Sequence, residues 1–389
     1  MNTNWNYPTS VRVGAGRLQE IAAACKELGI RAPLLVTDSD LVVLPMVEQA
    51  LGICEAEGLS CKVFSEIKTN PIGENVDEGV RSYQDGDHDG VIALGGGSAL
   101  DAGKAIALLA GQNLPLWDFE DVDDNWLRAD ADAIAPIVAV PTTAGTGSEV
   151  GRASVILNQE TEVKKIIFHP RMLPKIVILD PEVTLGLPPT LTAATGMDAL
   201  SHNLEAWCSP RYHPMAEGIA AEGILRIREY LLQAVADGSN IEARTQMLVA
   251  STMGATAFQR GLGAMHALSH PLGALFNAHH GMLNAVLMPY VLEANRSAIA
   301  SRIARLSHYI GLDTFNFDAF FSWILKLRQQ IGIPENLFAL GINDQQLVRI
   351  GKMAVEDPSA ATNPILFSAK EYQEIFRKAV HGELDYDAG

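Results

Sequence analysis

An α/β half with a mainly parallel sheet, followed by an all-helical half, is the fold this chain predicts, and three observations predict it. Short β-rich runs alternate with helical stretches up to residue 180. One of those runs passes straight into a glycine-rich turn, Gly95-Gly-Gly-Ser98, and then into a helix. Beyond Asp180-Pro-Glu-Val-Thr-Leu-Gly-Leu-Pro-Pro189 no convincing β-run remains, only stretches at helical spacing separated by Gly, Pro and Asn.

The elements follow in order. Residues 33–37 read as a buried strand and 41–51 as an apolar-periodic helix; 62–64 is a short strand and 76–83 a helix. Residues 91–94 form the strand before the glycine turn, and 99–110 the helix after it. Residues 134–140 and 175–179 add strands, while 151–157 and 163–168 suit a hairpin. Strands alternating with helices imply parallel pairing, with helices on the sheet faces. In the second half, 191–207, 216–236, 241–259 and 318–330 are the clearest helices. A chain of 389 residues is long for one core. Two domains are expected: 1–185, binding a dinucleotide, and 186–389, helical and carrying metal and substrate.

Composition narrows the function. A net charge of −17 argues against a nucleic-acid surface and suits solubility. The first eight residues have no basic start and no apolar run, so no signal peptide is expected. No stretch approaches the roughly 20 apolar residues of a membrane span. Cys25, Cys54, Cys61 and Cys208 lack CxxC spacing and the density of a disulfide scaffold. Reduced thiols in a cytoplasm are the expectation.

A strand, Gly95-Gly96-Gly97-Ser98 and a helix together form an arrangement that holds a pyrophosphate: glycines admit the phosphate, and free amides at the helix start face it. A second loop, Pro141-Thr142-Thr143-Ala-Gly145-Thr146-Gly147-Ser148-Glu149, also follows a buried strand. Two such loops at strand ends suit a phosphate-bearing ligand, although two well-made turns would look the same. Neither loop matches G-x-G-x-x-G or the Walker pattern; Lys104 lies in the following helix. Asp38, just after the first strand, is a candidate for the adenosine ribose, favouring NAD over NADP; its other reading is a helix N-cap.

Two further stretches carry metal chemistry. Asp198 and His202 are four residues apart, on one helical face. The block from His266 to Gly281 adds His266, His270, His279 and His280. A carboxylate and imidazoles converging on one point suit a divalent transition metal. His88, His169, His213, His308 and His381 have no comparable neighbourhood and read as surface or structural, and Cys208 reads as packing.

Together these residues resemble the iron-containing (group III) alcohol dehydrogenases, in the superfamily with glycerol dehydrogenase and dehydroquinate synthase. The motifs that carry the resemblance are Gly95-Gly-Gly-Ser98-Ala-Leu-Asp101, the Pro141 to Glu149 loop, Asp180-Pro181, Gly196-Met-Asp198-Ala-Leu-Ser-His202 and the His266 to Gly281 block. Asn70-Pro71 and Asn363-Pro364 echo it more weakly. The resemblance implies an active site in the cleft between an NAD-binding domain and a helical metal domain. It implies Asp198, His202, His266 and His280 as ligands of Fe²⁺, or of Zn²⁺ in some members. His270 would lie near the nicotinamide and could relay a proton. Asn70, Gly96, Gly97, Ser98, Asp101, Thr142, Thr143, Thr146 and Ser148 would surround the cofactor. Asp38 would set the NAD preference, Lys165 lie on the adenosine side, Leu187 near the ring, and Phe258 at the substrate pocket. His279 departs from the family, since many relatives have proline there. The acidic segment 117–128 either shapes the pocket entrance or is a solvated loop, and the solvated loop is the preferred reading.

The reaction implied is interconversion of a small alcohol with its aldehyde or ketone by hydride transfer, in a homodimer or larger homo-oligomer with no nucleic-acid or membrane partner. The alternative is a metal- and NAD-dependent lyase of the dehydroquinate synthase type. That enzyme would want several lysines and arginines at a phosphorylated substrate, and none lies within the metal motifs. A catalytically idle NAD-binding regulator is disfavoured, because it would have no use for a costly buried polar cluster.

Overall fold

In the computed structural model, which describes Asn6, Tyr7 and residues 9–385, the chain falls into two units. One comprises Tyr7–Thr143 and Gly147–Leu187; the other comprises Asn6, Ala144–Thr146 and the chain from Pro188 onward. Residues 1–5 and 8, over which no signal peptide is expected, lie outside the described residues.

The α/β unit contains, in order, β1 (Ser10–Val13), α1 (Ile21–Glu27), β2 (Pro33–Val36), α2 (Pro45–Ala56), β3 (Lys62–Phe64), α3 (Gly73–Asp85), β4 (Gly90–Gly95), α4 (Gly97–Leu109), β5 (Ile137–Pro141), β6 (Ala153–Asn158), β7 (Val163–Phe168) and β8 (Ile176–Leu179). Six strands make one parallel sheet in the order β1-β8-β5-β4-β2-β3. Every residue of β2, β4, β5 and β8 is buried, as expected of parallel strands covered on both faces, and this is why they read as continuous apolar runs. β6 and β7 form the expected antiparallel hairpin.

The structure adds to the sequence reading at three places in this unit. The helix read from residue 41 starts at Pro45; residues 41–44 are a turn held by Asp38, whose Oδ1 accepts from the amides of Asp40 and Leu41. Asp38 therefore closes a turn and does not cap α2. Edge strand β1 and short helix α1 were not read from the sequence, being too brief to show a period. The acidic segment 117–128 is solvated over residues 121–124 and 127–128, as read, but it is anchored at both ends. Phe119 is buried, Asp121 donates its amide to Ile166 O, Glu120 pairs with Lys165 at 2.6 Å, and Trp126 meets Phe168 edge-on. Its charges cap a packed aromatic underside.

The helical unit contains α5 (Pro189–Cys208), α6 (Pro214–Ala236), α7 (Ile241–Ala257), α8 (Ala264–Phe276), α9 (His280–Tyr309), α10 (Phe317–Gln330), α11 (Leu347–Glu356) and α12 (Ala369–His381). Helix α5 is buried on nearly every side, so its apolar pattern has no polar face. It packs on α6, α7 and α9 around Met197, Leu200, Leu204, Ile224, Leu231 and Leu287. Pro271 and Pro289 sit inside α8 and α9, where each removes a helix hydrogen bond; the sequence pattern therefore gave these two helices no bounds. Asn277, at φ 49°, ends α8 and lets the chain turn into α9. No helix is long and apolar enough to cross a membrane among the described residues.

Candidate metal centre and cofactor loops

Helix α5 carries Asp198 and His202 one turn apart, both buried. The start of α9 closes on them because Gly281 has no side chain: a Cβ there would lie 2.5 Å from Ala194 O and 3.1 Å from Asp198 Cβ. That approach brings in His280, the first residue of α9, while α8 supplies His266. One ligand atom from each of Asp198, His202, His266 and His280 lies within 4.8 Å of every other. Donors about 2.0–2.2 Å from a tetrahedral ion stand roughly 3.4 Å apart, so the group is of the right size for one divalent ion with little adjustment.

Hydrogen bonds prepare the imidazoles. His202 Nδ1 lies 3.2 Å from Gly145 O, and His266 Nδ1 lies 2.7 Å from Glu205 Oε2. A neutral ring that donates from Nδ1 keeps its Nε2 lone pair for a metal. Burial, with the His202 and His270 rings close by, holds His266 well below the usual histidine range, which keeps it neutral. Burial pushes Glu205 up to about 7, against the amides of Met265 and Gly263 that pull it down. Asn284, one turn after His280, points its amide nitrogen at Asp198 Oδ1 (2.8 Å), His266 Nε2 (3.2 Å) and His280 Nε2 (3.2 Å). Two amide protons face three acceptors there. That surplus of inward lone pairs is the donor chemistry a cation requires.

The remaining histidines divide by contact. The His270 ring stacks on His280 at 5.5 Å but stands outside the four, and its Nδ1 pairs with Asp357 Oδ2 at 2.7 Å. His279, the family departure, caps α9: its Nδ1 accepts from Met282 N. His213 caps α6 in the same way, and His169 caps the turn after β7, as structural residues do. The Phe258 ring lies 5.3 Å from the His202 ring, at the wall of the cluster. Cys208 is buried at the end of α5, outside the four.

In the α/β unit, register places the cofactor candidates together. Gly95 pairs opposite Pro141, so the turn after β4 and the loop after β5 leave the sheet side by side. Gly95 has φ 152°, a backbone suited to glycine, and a Cβ there would strike Ala99 Cβ at 2.6 Å. Gly96 occupies the N-cap of α4 with no side-chain cap, which leaves the first amides, of Gly97 and Ser98, open to an anion. Thr143 side-chain atoms lie 3.5 Å from where a Gly96 Cβ would be, and Thr142 N donates to Gly95 O. Asp38 Oδ2 lies 3.7 Å from the corresponding Gly95 position, so the carboxylate borders the turn. Burial raises its carboxyl, and the Leu41 and Asp40 amides offset this in part.

Other candidates sit one layer back. The Ser98 hydroxyl donates to Thr69 O, next to Asn70. Asp101 accepts from Ser148 Oγ and from Val155 N, and buried Lys104 joins them by pairing with Asp101 and donating to Ser148 O and Ala153 O. This network braces the second loop against α4. Lys165 is engaged by Glu120, and half-buried Leu187 donates its amide to Thr184 O. Thr146 belongs with Ala144–Thr146 to the other unit.

Sequence reasoning missed Glu205, Asn284 and Asp357. A charged residue within an apolar helix marked the first, and a four-residue step after His280 marked the second. Nothing local marked Asp357, which lies 87 residues from His270.

Comparison with known proteins agrees with this geometry. Residues 8–181 match the family model "Iron-containing alcohol dehydrogenase", and residues 192–380 match "Fe-containing alcohol dehydrogenase family, C-terminal". The chain is 37% identical to a 4-hydroxybutyrate dehydrogenase of Cupriavidus necator, covering 96% of this chain and 99% of that protein. It is 31% identical to an NAD-dependent methanol dehydrogenase of Bacillus methanolicus, covering 97% and 100%. Among solved structures, a 1,3-propanediol oxidoreductase superposes with a TM-score of 0.92 at 35% identity, covering 97% of this chain and 100% of the other.

Proposed function

The chain belongs to the iron-containing alcohol dehydrogenase family, and on that premise we propose that it interconverts a small alcohol and its aldehyde or ketone, with NAD as the hydride carrier. The observation that carries this reading is the group of four inward ligand atoms, from Asp198, His202, His266 and His280, on three helices of a chain with that membership. The relatives described above are dehydrogenases and an oxidoreductase; none is a lyase.

Asp198, His202, His266 and His280 hold the ion, Fe²⁺ in this reading, with Zn²⁺ an alternative of the same donor chemistry. When bound, the metal supplies Lewis acidity at the substrate oxygen and NAD supplies the hydride chemistry. The chain's own residues do the rest. The Gly96 and Gly97 turn and Ser98 present amides to the pyrophosphate, and Asp38 accepts from ribose hydroxyls. Thr142, Thr143 and Thr146 border the cofactor; Asp101 and Ser148 keep the second loop in place; Asn70, Lys165 and Leu187 complete its surroundings. His270 holds a proton at Nε2 while Asp357 fixes its Nδ1, and Phe258 excludes water beside His202.

Residues 1–185 are assigned to the cofactor and 186–389 to metal and substrate. A cytoplasmic setting is supported by four free cysteines. A homodimer or larger homo-oligomer rests on the family resemblance alone.

Reconstitution tests the reading. Metal-stripped protein is loaded anaerobically with Fe²⁺ or Zn²⁺, and NADH oxidation is followed against small aldehydes and hydroxyketones. Metal-dependent turnover that His280→Ala abolishes is the expected result. Metal and NAD binding without turnover on any carbonyl would overturn it.

A further inference from the structure

Glu205 is a buried carboxylate that the reaction itself does not use. It lies three residues beyond His202 and seven beyond Asp198, on the same face of α5. Its two oxygens accept three hydrogen bonds, all from the segment that opens α8. Oε2 accepts from Gly263 N at 2.8 Å and His266 Nδ1 at 2.7 Å, and Oε1 accepts from Met265 N at 2.7 Å. Helix α8 has Gly263 at its N-cap with no side-chain cap of its own. The anion that belongs at a helix start is therefore lent to α8 by α5.

We propose that Glu205 is a positioning residue for the metal centre: it fixes His266 as the Nδ1–H tautomer and latches the first turn of α8 to α5. The four donor atoms are thus aligned before an ion arrives. This rests on the reading of those four residues as metal ligands. A neutral imidazole has one N–H; donated to Glu205, it leaves Nε2 as a lone pair facing Asp198 and His280.

Only a carboxylate satisfies all three donors. In Glu205→Gln the amide has one accepting oxygen. With its NH₂ at the Oε2 position, it faces the Gly263 amide and obliges His266 to accept at Nδ1. The ring proton then moves to Nε2 and points into the cluster. With its NH₂ at the Oε1 position, it faces the Met265 amide and unlatches α8. Either arrangement disturbs the centre, and the first abolishes a ligand.

The test uses metal-free and Co²⁺-loaded full-length protein at about pH 8, above the raised value of Glu205, where its side chain is the carboxylate. Long-range ¹H–¹⁵N spectra of ¹⁵N-histidine-labelled metal-free protein read the tautomer of His266, assigned with His266→Gln. Titration with Co²⁺, followed by its d–d absorption, reads affinity. We expect Nδ1–H in the wild type, with Nε2–H gained in Glu205→Gln and affinity lowered about 10- to 100-fold. Nε2–H in the metal-free wild type overturns the proposal whether or not the variant folds. So does unchanged tautomer and affinity in the variant, even if its melting temperature drops. Failure of the underlying metal reading looks different: wild-type protein would give no Co²⁺ spectrum sensitive to His280→Ala.

Discussion

His270 Nδ1 meets Asp357 Oδ2 at 2.7 Å, joining a helix of the metal block to a loop 87 residues later. Asp357 also accepts from Ser359 N, so the carboxylate is fixed from both sides. Burial raises its carboxyl, but the charge and hydrogen bond of His270 and the hydrogen bonds of Ser359 outweigh this and hold it below the usual carboxylate range. Asp357→Asn should lower kcat about tenfold to a hundredfold through loss of His270 orientation, with Co²⁺ affinity unchanged. The sign with pH follows. A depressed carboxyl contributes stability that is fully present above its unfolded value and lost as pH falls through its folded one. Wild type should therefore lead Asp357→Asn in urea midpoint at neutral pH and converge with it as pH falls through the depressed value of the folded carboxyl. A constant gap across that range would refute the assignment.

Asn284 directs one amide nitrogen at three donor atoms of the cluster. Asn284→Asp puts a second buried carboxylate against Asp198. Two like charges in that space should destabilise the metal-free protein by about 3–5 kcal/mol, the scale of an uncompensated buried charge. Bound metal should recover most of it, so the thermal shift on adding Zn²⁺ should be larger in the variant than in wild type. Equal shifts would place Asn284 outside the metal's field.

Asp38 borders the Gly95 turn with one oxygen and holds the 40–41 amides with the other. A 2′-phosphate beside that carboxylate would be repelled. Asp38→Ser retains a turn-closing oxygen while removing the charge. It should narrow the preference for NADH over NADPH by about tenfold or more, or roughly 1.4 kcal/mol, in kcat/KM. Unchanged preference would assign Asp38 to the turn alone.

Lys104 is buried, and burial lowers its pKa while Asp101 raises it. Lys104→Met keeps the volume but removes the cation shared by Asp101, Ser148 O and Ala153 O. We expect a loss of about 3 kcal/mol in chemical denaturation. NADH affinity, read by fluorescence, should weaken as well because the second loop loses its brace. Loss of stability without loss of affinity would separate the network from the cofactor.

Much of the α/β unit was legible because buried parallel strands are continuous apolar runs; β3 and the β6/β7 hairpin lie where the pattern placed them. Helices α8 and α9 lacked readable bounds because Pro271 and Pro289 interrupt the very pattern that marks a helix. The acidic stretch is solvated as read over Asp121, Asp123 and Asp124, but its anchoring by Phe119 and Trp126 went unread because charge dominates its composition.

Whatever depends on a local period was readable along the chain: Asp198 and His202 on one face of α5, and a glycine turn between β4 and α4. A helix repeats every 3.6 residues wherever it lies, so spacing alone sets which side chains share a face. Tertiary packing alone puts Glu205 and Asn284 behind the four ligand residues and Asp357 behind His270. Those contacts join residues 61, 86 and 87 apart. They depend on how closely helices pack, down to the space beside Asp198 that Gly281 leaves open, and no period along one chain encodes that distance.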